Sequence, residues 1–342
     1  MKNTFIIAEI GINHNGSISL AKEIIDAATE CGVDAVKFQT YQTEEVMTEQ
    51  TPLANYMKKS SNSNFFDMAK KFELSFDETL KLQEYTNSKK IEFMSSPFDV
   101  PSCNFLGTIG LKRLKIPSGE TVNPFLLKAA AQTRLPLIVS TGMATIDEIT
   151  QSINFLNNQH SGPITILHCT TQYPAEIGNC NLLAMLTMKE KFNLPIGYSD
   201  HTPGVEISLA AVAMGAEIIE KHFTIDKSLP GPDQATSLDP VEFSNLVKGI
   251  KSIDKALGNG LKKPFPIEIE VAKVARKSLI TTDDLKAGTV LTENNLTAKR
   301  PGTGIPAMKL TEVINKKLNK DLPKNYLLSW DDIILSDKKQ CQ

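Results

Sequence analysis

Eight short apolar runs recur along the chain, each bounded by turn residues and followed by a segment with helical spacing. They fall at 5–11, 35–40, 91–97, 113–119, 136–142, 164–170, 195–201 and 217–224. Hydrophobic residues stand at successive positions within a run rather than at alternate ones, the pattern of parallel strands buried on both faces. The intervening segments place apolar residues at three- and four-residue steps. In "SLAKEIIDAATECG" these are Leu20, Ile24, Ala27 and Ala28, with Ser19 the expected N-cap and Gly32 the stop. "TIDEITQSINFLNNQ" and "DPVEFSNLVKGIKSIDKALG" follow the same grammar. Eight β/α alternations in about 255 residues match the size of a (β/α)8 TIM barrel. A doubly wound α/β sheet is the other arrangement, and the even spacing favours closure. The barrel is expected over residues 1–258.

Past that point the pattern changes. "NGLKKPFPIEIE" reads as a linker over 259–275, with Pro264 and Pro266 expected to keep it from being helical. Residues 276–342 hold a degenerate repeat. "DLKAGTVLTENNL" (284–296) and "DLPKNYLLSWDDI" (321–333) align, pairing Asp284 with Asp321, Leu285 with Leu322, Gly288 with Asn325, Leu291 with Leu328 and Leu296 with Ile333. Gly and Asn best tolerate positive φ, so Gly288 and Asn325 are expected at one turn position of a small, pseudo-symmetric domain.

Composition narrows the class. A net charge of −2 gives no reason to expect a nucleic-acid partner. No run reaches 18 apolar residues, so no membrane span is expected. The N-terminal run is short and ends in polar residues, unlike a signal peptide. Five cysteines without CxxC spacing fit free thiols in a reducing, cytoplasmic setting.

The ends of the eight runs carry the chemistry. They deliver Glu9; Lys37 and Gln39; Ser95 and Ser96; Lys115, Ser118 and Glu120; Ser140 and Thr141; His168, Thr170 and Tyr173; Ser199, Asp200 and His201; and Glu220, Lys221 and His222. A barrel's active site lies at these ends, and charges there are costly to bury unless paired. Lys37, Lys115, Ser118, Ser140 and Ser199 suit a small phosphate- or carboxylate-bearing ligand. The turns at Gly119 and Gly142 let backbone N–H groups approach an anion. His201 and His222 end consecutive strands, which lie about 5 Å apart. They either share one metal ion, leaving an open Lewis-acid site, or are two unrelated polar core histidines.

In order, "AEIGINHNG", "VKFQT", "KIPSGE", "STGM", "HCT", "GYSDHT", "EKHFT", "SLPGPD" and "KRPGTGI" resemble the sialic acid synthase family, over essentially the whole chain. The resemblance implies a TIM barrel followed by an antifreeze-like (SAF) domain, and a domain-swapped homodimer. It implies a metal-dependent synthase of the N-acetylneuraminate type, which condenses phosphoenolpyruvate with N-acetylmannosamine and releases phosphate. The alternative is a legionaminate synthase using 2,4-diacetamido-2,4,6-trideoxymannose. By the same resemblance His201 and His222 hold Mn2+ or Mg2+, and Glu9 handles a proton. Lys37, Lys115, Ser118, Ser140 and Ser199 bind phosphoenolpyruvate. Glu120, Tyr173, Asp233, Asn64 and the partner chain's Arg300 meet the sugar. Thr171 and Gln172 stand where some members carry an Asn that touches phosphate. A remoter reading is a pyruvate-dependent metal aldolase, which would not need the two lysines and three serines. Another is a non-enzymatic binding module centred on the C-terminal domain, which leaves the polar strand ends unexplained.

Overall fold

A computed structural model describes residues 3–52 and 65–334 of the chain. Contacts divide it into two units, with the boundary between Asn259 and Gly260. In the first unit the strands are β1 (Phe5–Gly11), β2 (Ala35–Thr40), β3 (Glu92–Pro97), β4 (Leu114–Ile116), β5 (Leu137–Ser140), β6 (Ile164–Cys169), β7 (Ile196–Asp200) and β8 (Ile218–His222). The helices are α1 (Ile18–Cys31), α2 (Thr43–Val46), α3 (Phe65–Phe72), α4 (Phe76–Ser88), α5 (Val100–Thr108), α6 (Pro124–Gln132), α7 (Ile146–Asn158), α8 (Leu183–Phe192), α9 (Glu206–Ala213) and α10 (Pro240–Leu257). All strand pairs in this sheet are parallel, in the order β3-β2-β1-β8-β7-β6-β5-β4. β3 and β4 pack together at the seam, so the expected eight-stranded TIM barrel is present and nearly closed.

Side-chain alternation along these strands explains why continuous apolar runs can still deliver polar groups. Outward-facing residues such as Ile6, Ala8, Val36 and Ile219 pack against the helices in one large core. Inward-facing Ile7, Ala35, Met94, Ile138, Leu167 and Ile218 fill the barrel floor. Two residues further along, each of these strands reaches the next interior layer: Glu9, Lys37, Ser96, Ser140, Cys169 and Glu220. The floor is dry and apolar, and the layer above it is charged.

Local signals set the helix ends. Thr145 and Asp239 begin α7 and α10 with capping boxes closed by Glu148 and Glu242. For α1 the N-cap is Ser17 rather than Ser19: Ser17 Oγ accepts from Leu20 N at 3.3 Å, and Ser19 Oγ sits 2.9 Å from it. Gly32 stops α1 at φ 80°.

The second unit corrects the linker expectation. Pro266 begins α11 (Pro266–Ala275) instead of preventing a helix there. At the first helical position the missing N–H would have no intrahelical acceptor, and proline's fixed φ already suits the helix. Beyond it lie β9 (Ser278–Thr281), β10 (Leu296–Lys299), α12 (Leu310–Val313), β11 (Lys317–Leu318) and β12 (Ile333–Ile334). The repeat seen in the sequence is a structural one. Leu285 and Leu322 exchange N–H···O bonds, both 2.8 Å, and so pair with their own counterparts. Asp284 Oδ1 accepts from Lys324 N while Asp321 Oδ1 accepts from Ala287 N, each at 2.8 Å. Gly288 and Asn325 both adopt positive φ, 81° and 63°. Leu291, Leu328, Leu296 and Ile333 form this unit's own core.

Gly197 marks a closely packed point in the barrel wall. A Cβ there would lie 2.6 Å from the Ile218 carbonyl oxygen and 2.5 Å from Leu167 Cδ2. Backbone on a neighbouring strand cannot move aside as a side-chain tip can. Gly197→Ala is therefore expected to destabilise the barrel by roughly 1–3 kcal/mol in urea unfolding; an unchanged midpoint would show that β7 and β8 are not held this closely.

Candidate active site at the barrel mouth

The charged layer joins β1, β2, β4 and β8 through four side chains, none more than 5% exposed. Lys37 Nζ lies 2.5 Å from Glu9 Oε2 and 3.7 Å from Glu220 Oε2, and donates to Ser96 Oγ at 3.0 Å. Lys115 Nζ donates to Glu220 Oε1 at 3.2 Å, and Ser199 Oγ donates to the same oxygen at 2.9 Å. Two cations and two carboxylates balance, which is what permits their burial.

The two carboxylates are not equivalent. Burial pushes both up, but Glu220 faces Lys115, Lys37 and the Ser199 hydroxyl, which together hold it down at about 2. Glu9 has Lys37 as its close cation and Glu220 as a negative neighbour. Its burial wins, and its pKa rises to about 7. Similar groups in unequal surroundings thus become a fixed anion and a proton-exchanging acid. Burial and the Lys37 charge pull Lys115 below its ordinary value, against the attraction of Glu220.

Donor capacity remains over. Among the described residues Lys115 Nζ spends one hydrogen bond, on Glu220, and the buried Ser140 hydroxyl has no hydrogen-bond partner. Ser118 Oγ lies 3.4 Å from Thr171 Oγ1. All three residues, with Lys37 and Ser199, line a cavity of about 360 Å³. Unspent donors on a buried cation and a hydroxyl are what an anionic ligand would satisfy.

Above this layer stand the two histidines, with ring centroids 5.6 Å apart. His201 donates Nδ1–H to the Thr170 carbonyl at 2.7 Å, since a carbonyl can only accept. That bond sets the tautomer and leaves the Nε2 lone pair free to coordinate. His222 Nδ1 is buried without a hydrogen bond, 3.8 Å from Asp233 Oδ2. Burial holds both imidazoles below their ordinary pKa; for His222 the His201 and Lys37 charges add to it. Two neutral imidazoles with available nitrogens fit a borderline divalent ion. The described residues hold no set of three or more His, Cys, Asp or Glu side chains that could hold such an ion, so water or substrate would complete the coordination.

The residue next to each histidine faces the other way. Lys221 Nζ and Asp200 Oδ2 form a 2.7 Å ion pair between the sheet and its helical coat. Lys221 also donates to Thr202 O, and Asp200 accepts from Thr202 N, Thr202 Oγ1 and Ser208 Oγ. This saturated network ties β8 to the turn after β7, and so fixes the two imidazoles side by side.

Tyr173 and Asp233 line the same cavity as the charged layer. The Tyr173 ring lies 4.2 Å from His201 and 5.8 Å from His222, centroid to centroid. Burial raises Asp233 to about 6. Other expected residues stand elsewhere. Glu120 does not line the cavity; its Oε2 accepts from Asn123 Nδ2 at 2.7 Å, beside the start of α6. Arg300 belongs to the second unit, where Nε donates to Ala275 O at 3.0 Å. Asn64 lies outside the described residues. The Gly142 N–H is not open to an anion, because it donates to Cys169 Sγ at 3.2 Å. Glycine is required there because a Cβ would fall 2.4 Å from Ser118 Cβ, at a φ of 45°. Ser96 and Cys169 line the cavity although neither was expected to bind ligand. The two-residue step from Met94 and Leu167 could have found them.

Comparisons with known proteins agree with the barrel and the two-unit architecture. A model of the NeuB family matches residues 24–262, and a SAF domain model matches 276–334. The N,N'-diacetyllegionaminic acid synthase of Legionella pneumophila is 44% identical, over 96% of this chain and 94% of its own. The protein of the same name from Campylobacter jejuni is 43% identical, over 96% and 99%. A crystal structure of the N-acetylneuraminic acid synthetase of Leptospira borgpetersenii, in complex with citrate, has 41% identity and a TM-score of 0.72, covering 79% of this chain and 90% of that one.

The outward ion pair gives a direct test of how the histidines are held. Lys221→Met leaves the Asp200 carboxylate buried without its cation, and is expected to cost roughly 3–5 kcal/mol in urea unfolding. Adding Asp200→Asn should recover part of that loss. No coupling between the two substitutions would mean that the pair does not join β7 to β8.

Proposed function

The chain belongs to the NeuB family, and from that premise we propose that it joins phosphoenolpyruvate to 2,4-diacetamido-2,4,6-trideoxymannose, forming N,N'-diacetyllegionaminate and inorganic phosphate. The choice of sugar rests on the two relatives that carry the legionaminic acid name at 44% and 43% identity. It reverses the order read from the motifs, which placed N-acetylneuraminate first. The observation that carries the enzymatic reading is the balanced charge layer, with its unspent Lys115 and Ser140 donors, directly beneath two neutral imidazoles.

In this proposal the phosphate and carboxylate of phosphoenolpyruvate lie against Lys37, Lys115, Ser118, Ser140 and Ser199. Lys115 and Ser140 gain hydrogen bonds that they lack without ligand. His201 and His222 would hold a divalent ion such as Mn2+ or Mg2+, which supplies a Lewis acid for the aldehyde oxygen when bound. C3 of phosphoenolpyruvate forms a bond to the aldehyde carbon, and that oxygen takes up a proton. Water adds at C2 and gives up one proton; as the bond from C2 to the phosphate oxygen breaks, the remaining C2 hydroxyl gives its proton to the departing phosphate and becomes the ketone. Glu9, with a pKa of about 7, is the group suited to exchanging the proton near neutrality. Glu220 stays ionised and keeps both lysines charged. Tyr173 and Asp233 meet the sugar. From the resemblance, Arg300 serves the partner chain's site in a domain-swapped homodimer, and Glu120 meets a sugar hydroxyl. The reading also places the protein in the cytoplasm. No helix among the described residues is long and apolar enough to cross a membrane.

Phosphate release from phosphoenolpyruvate with Mn2+ tests the proposal. The trideoxy diacetamido sugar should support faster turnover than N-acetylmannosamine, EDTA should abolish it, and Arg300→Ala should raise the KM for sugar rather than for phosphoenolpyruvate. Faster turnover of N-acetylmannosamine would restore the N-acetylneuraminate assignment. Turnover of pyruvate without phosphate release would point to the aldolase.

A further inference from the structure

The cavity has two unlike walls. Past the charged layer, towards the mouth, its lining includes Tyr41, Val46, Met47, Met68, Phe72 and Phe98, from the ends of β2 and β3 and from α2 and α3. This bank is built rather than loosely draped. Tyr41 Oη donates to Ala69 O at 3.0 Å, so the one hydroxyl among the six is spent on holding α3. The Tyr41 ring meets Phe98 edge-on, with centroids 6.2 Å apart. Thr43 donates through both N and Oγ1 to Glu73 Oε2, at 2.9 and 2.7 Å, and Lys70 bridges Glu73 and Glu44. These contacts pin α2 and α3 over the mouth. Met68 and Phe72 are buried, yet both line the cavity. The nearby Thr51 hydroxyl lies 3.5 Å from that of Thr48. Among the six, the one hydroxyl proton is already donated, and Met68 and Phe72 offer a polar substituent no strong hydrogen-bond partner.

We infer that this bank, centred on Met68 and Phe72, receives the C6 end of the sugar and selects a 6-deoxy carbon over a hydroxymethyl group. The inference rests on the proposed condensation. An open-chain sugar that presents its aldehyde at the charged layer and the histidines extends its far carbons away from them, towards the apolar side. A methyl group there leaves nothing unsatisfied. A hydroxyl set against Met68 and Phe72 gives up water without gaining a strong partner. Apolar pockets discriminate against an added hydroxyl by up to about 100-fold in kcat/KM, and no more.

Four sugars separate this inference from the assignment it builds on: 2-acetamidomannose and its 6-deoxy, 4-acetamido, and 4-acetamido-6-deoxy forms. The wild-type protein should favour the 6-deoxy member of each pair by roughly 10- to 100-fold in kcat/KM. Met68→Gln, of similar size but polar, should cut that preference at least about fivefold while leaving the effect of the 4-acetamido group unchanged. Phe72→Tyr, which adds one hydroxyl and alters packing least, should do the same if Met68→Gln fails to fold. Equal use of 6-hydroxy and 6-deoxy sugars by the wild type would overturn the inference, as would an unaltered preference in folded variants. A 6-deoxy preference without a 4-acetamido preference would support the bank and reject the legionaminate assignment. No phosphate release with any of the four sugars would overturn both.

Discussion

The site depends on burying four charges in one layer of a barrel interior. Glu9, Lys37, Lys115 and Glu220 are removed from water together, and none could be kept ionised there alone. Their spacing decides the outcome. Glu220 sits within reach of both lysines, so it holds its charge and keeps theirs. Glu9 is left with one close cation and a like-charged neighbour, and its proton affinity rises into the neutral range. Lys115 and Ser140 are left with donor capacity that an anionic ligand would satisfy.

The rest of the barrel serves that layer. The apolar floor of Ile7, Met94, Ile138, Leu167 and Ile218 closes it from below. Outside the sheet the Lys221–Asp200 pair and its satisfied partners fix the strands that carry His222 and His201. Adjacent residues thus take opposite duties, one facing the cavity and one bracing it. Nearer the mouth α2 and α3 bring an apolar bank to the same cavity, so its lining combines charged and hydrocarbon surfaces. The second unit is organised by its own pseudo-two-fold, centred on the exchange between Leu285 and Leu322.

Much of this was legible in the sequence because the strands carry their signal at every residue. Runs buried on both faces announce a parallel sheet, and the polar residues closing them announce where it opens. The repeat in the second unit was readable because Gly288 and Asn325 answer the same backbone demand. Pro266 was misread because proline forbids a helix interior yet favours a helix start, and the distinction rests on where the first turn begins. Ser19 lost the cap of α1 to Ser17 for a similar reason, two residues of register. The unequal fates of Glu9 and Glu220 could not be read at all: they follow from distances of a few ångströms among residues far apart in the chain. Gly142 showed the same limit, since its N–H is taken by a thiol 27 residues away.

The central claim is that Glu9 exchanges its proton near neutrality because it is buried with Lys37 as its one close cation, while Glu220 has both lysines and the Ser199 hydroxyl. It is tested most directly by a carbon-13 NMR titration of the glutamate side-chain carboxyls, with the Glu9→Gln protein used to assign the resonance. The account predicts a midpoint of about 7 for Glu9, with Glu220 still ionised throughout. A Glu9 midpoint near the ordinary glutamate value of 4.5 would contradict it, because Glu9 would then have no proton to exchange at neutral pH.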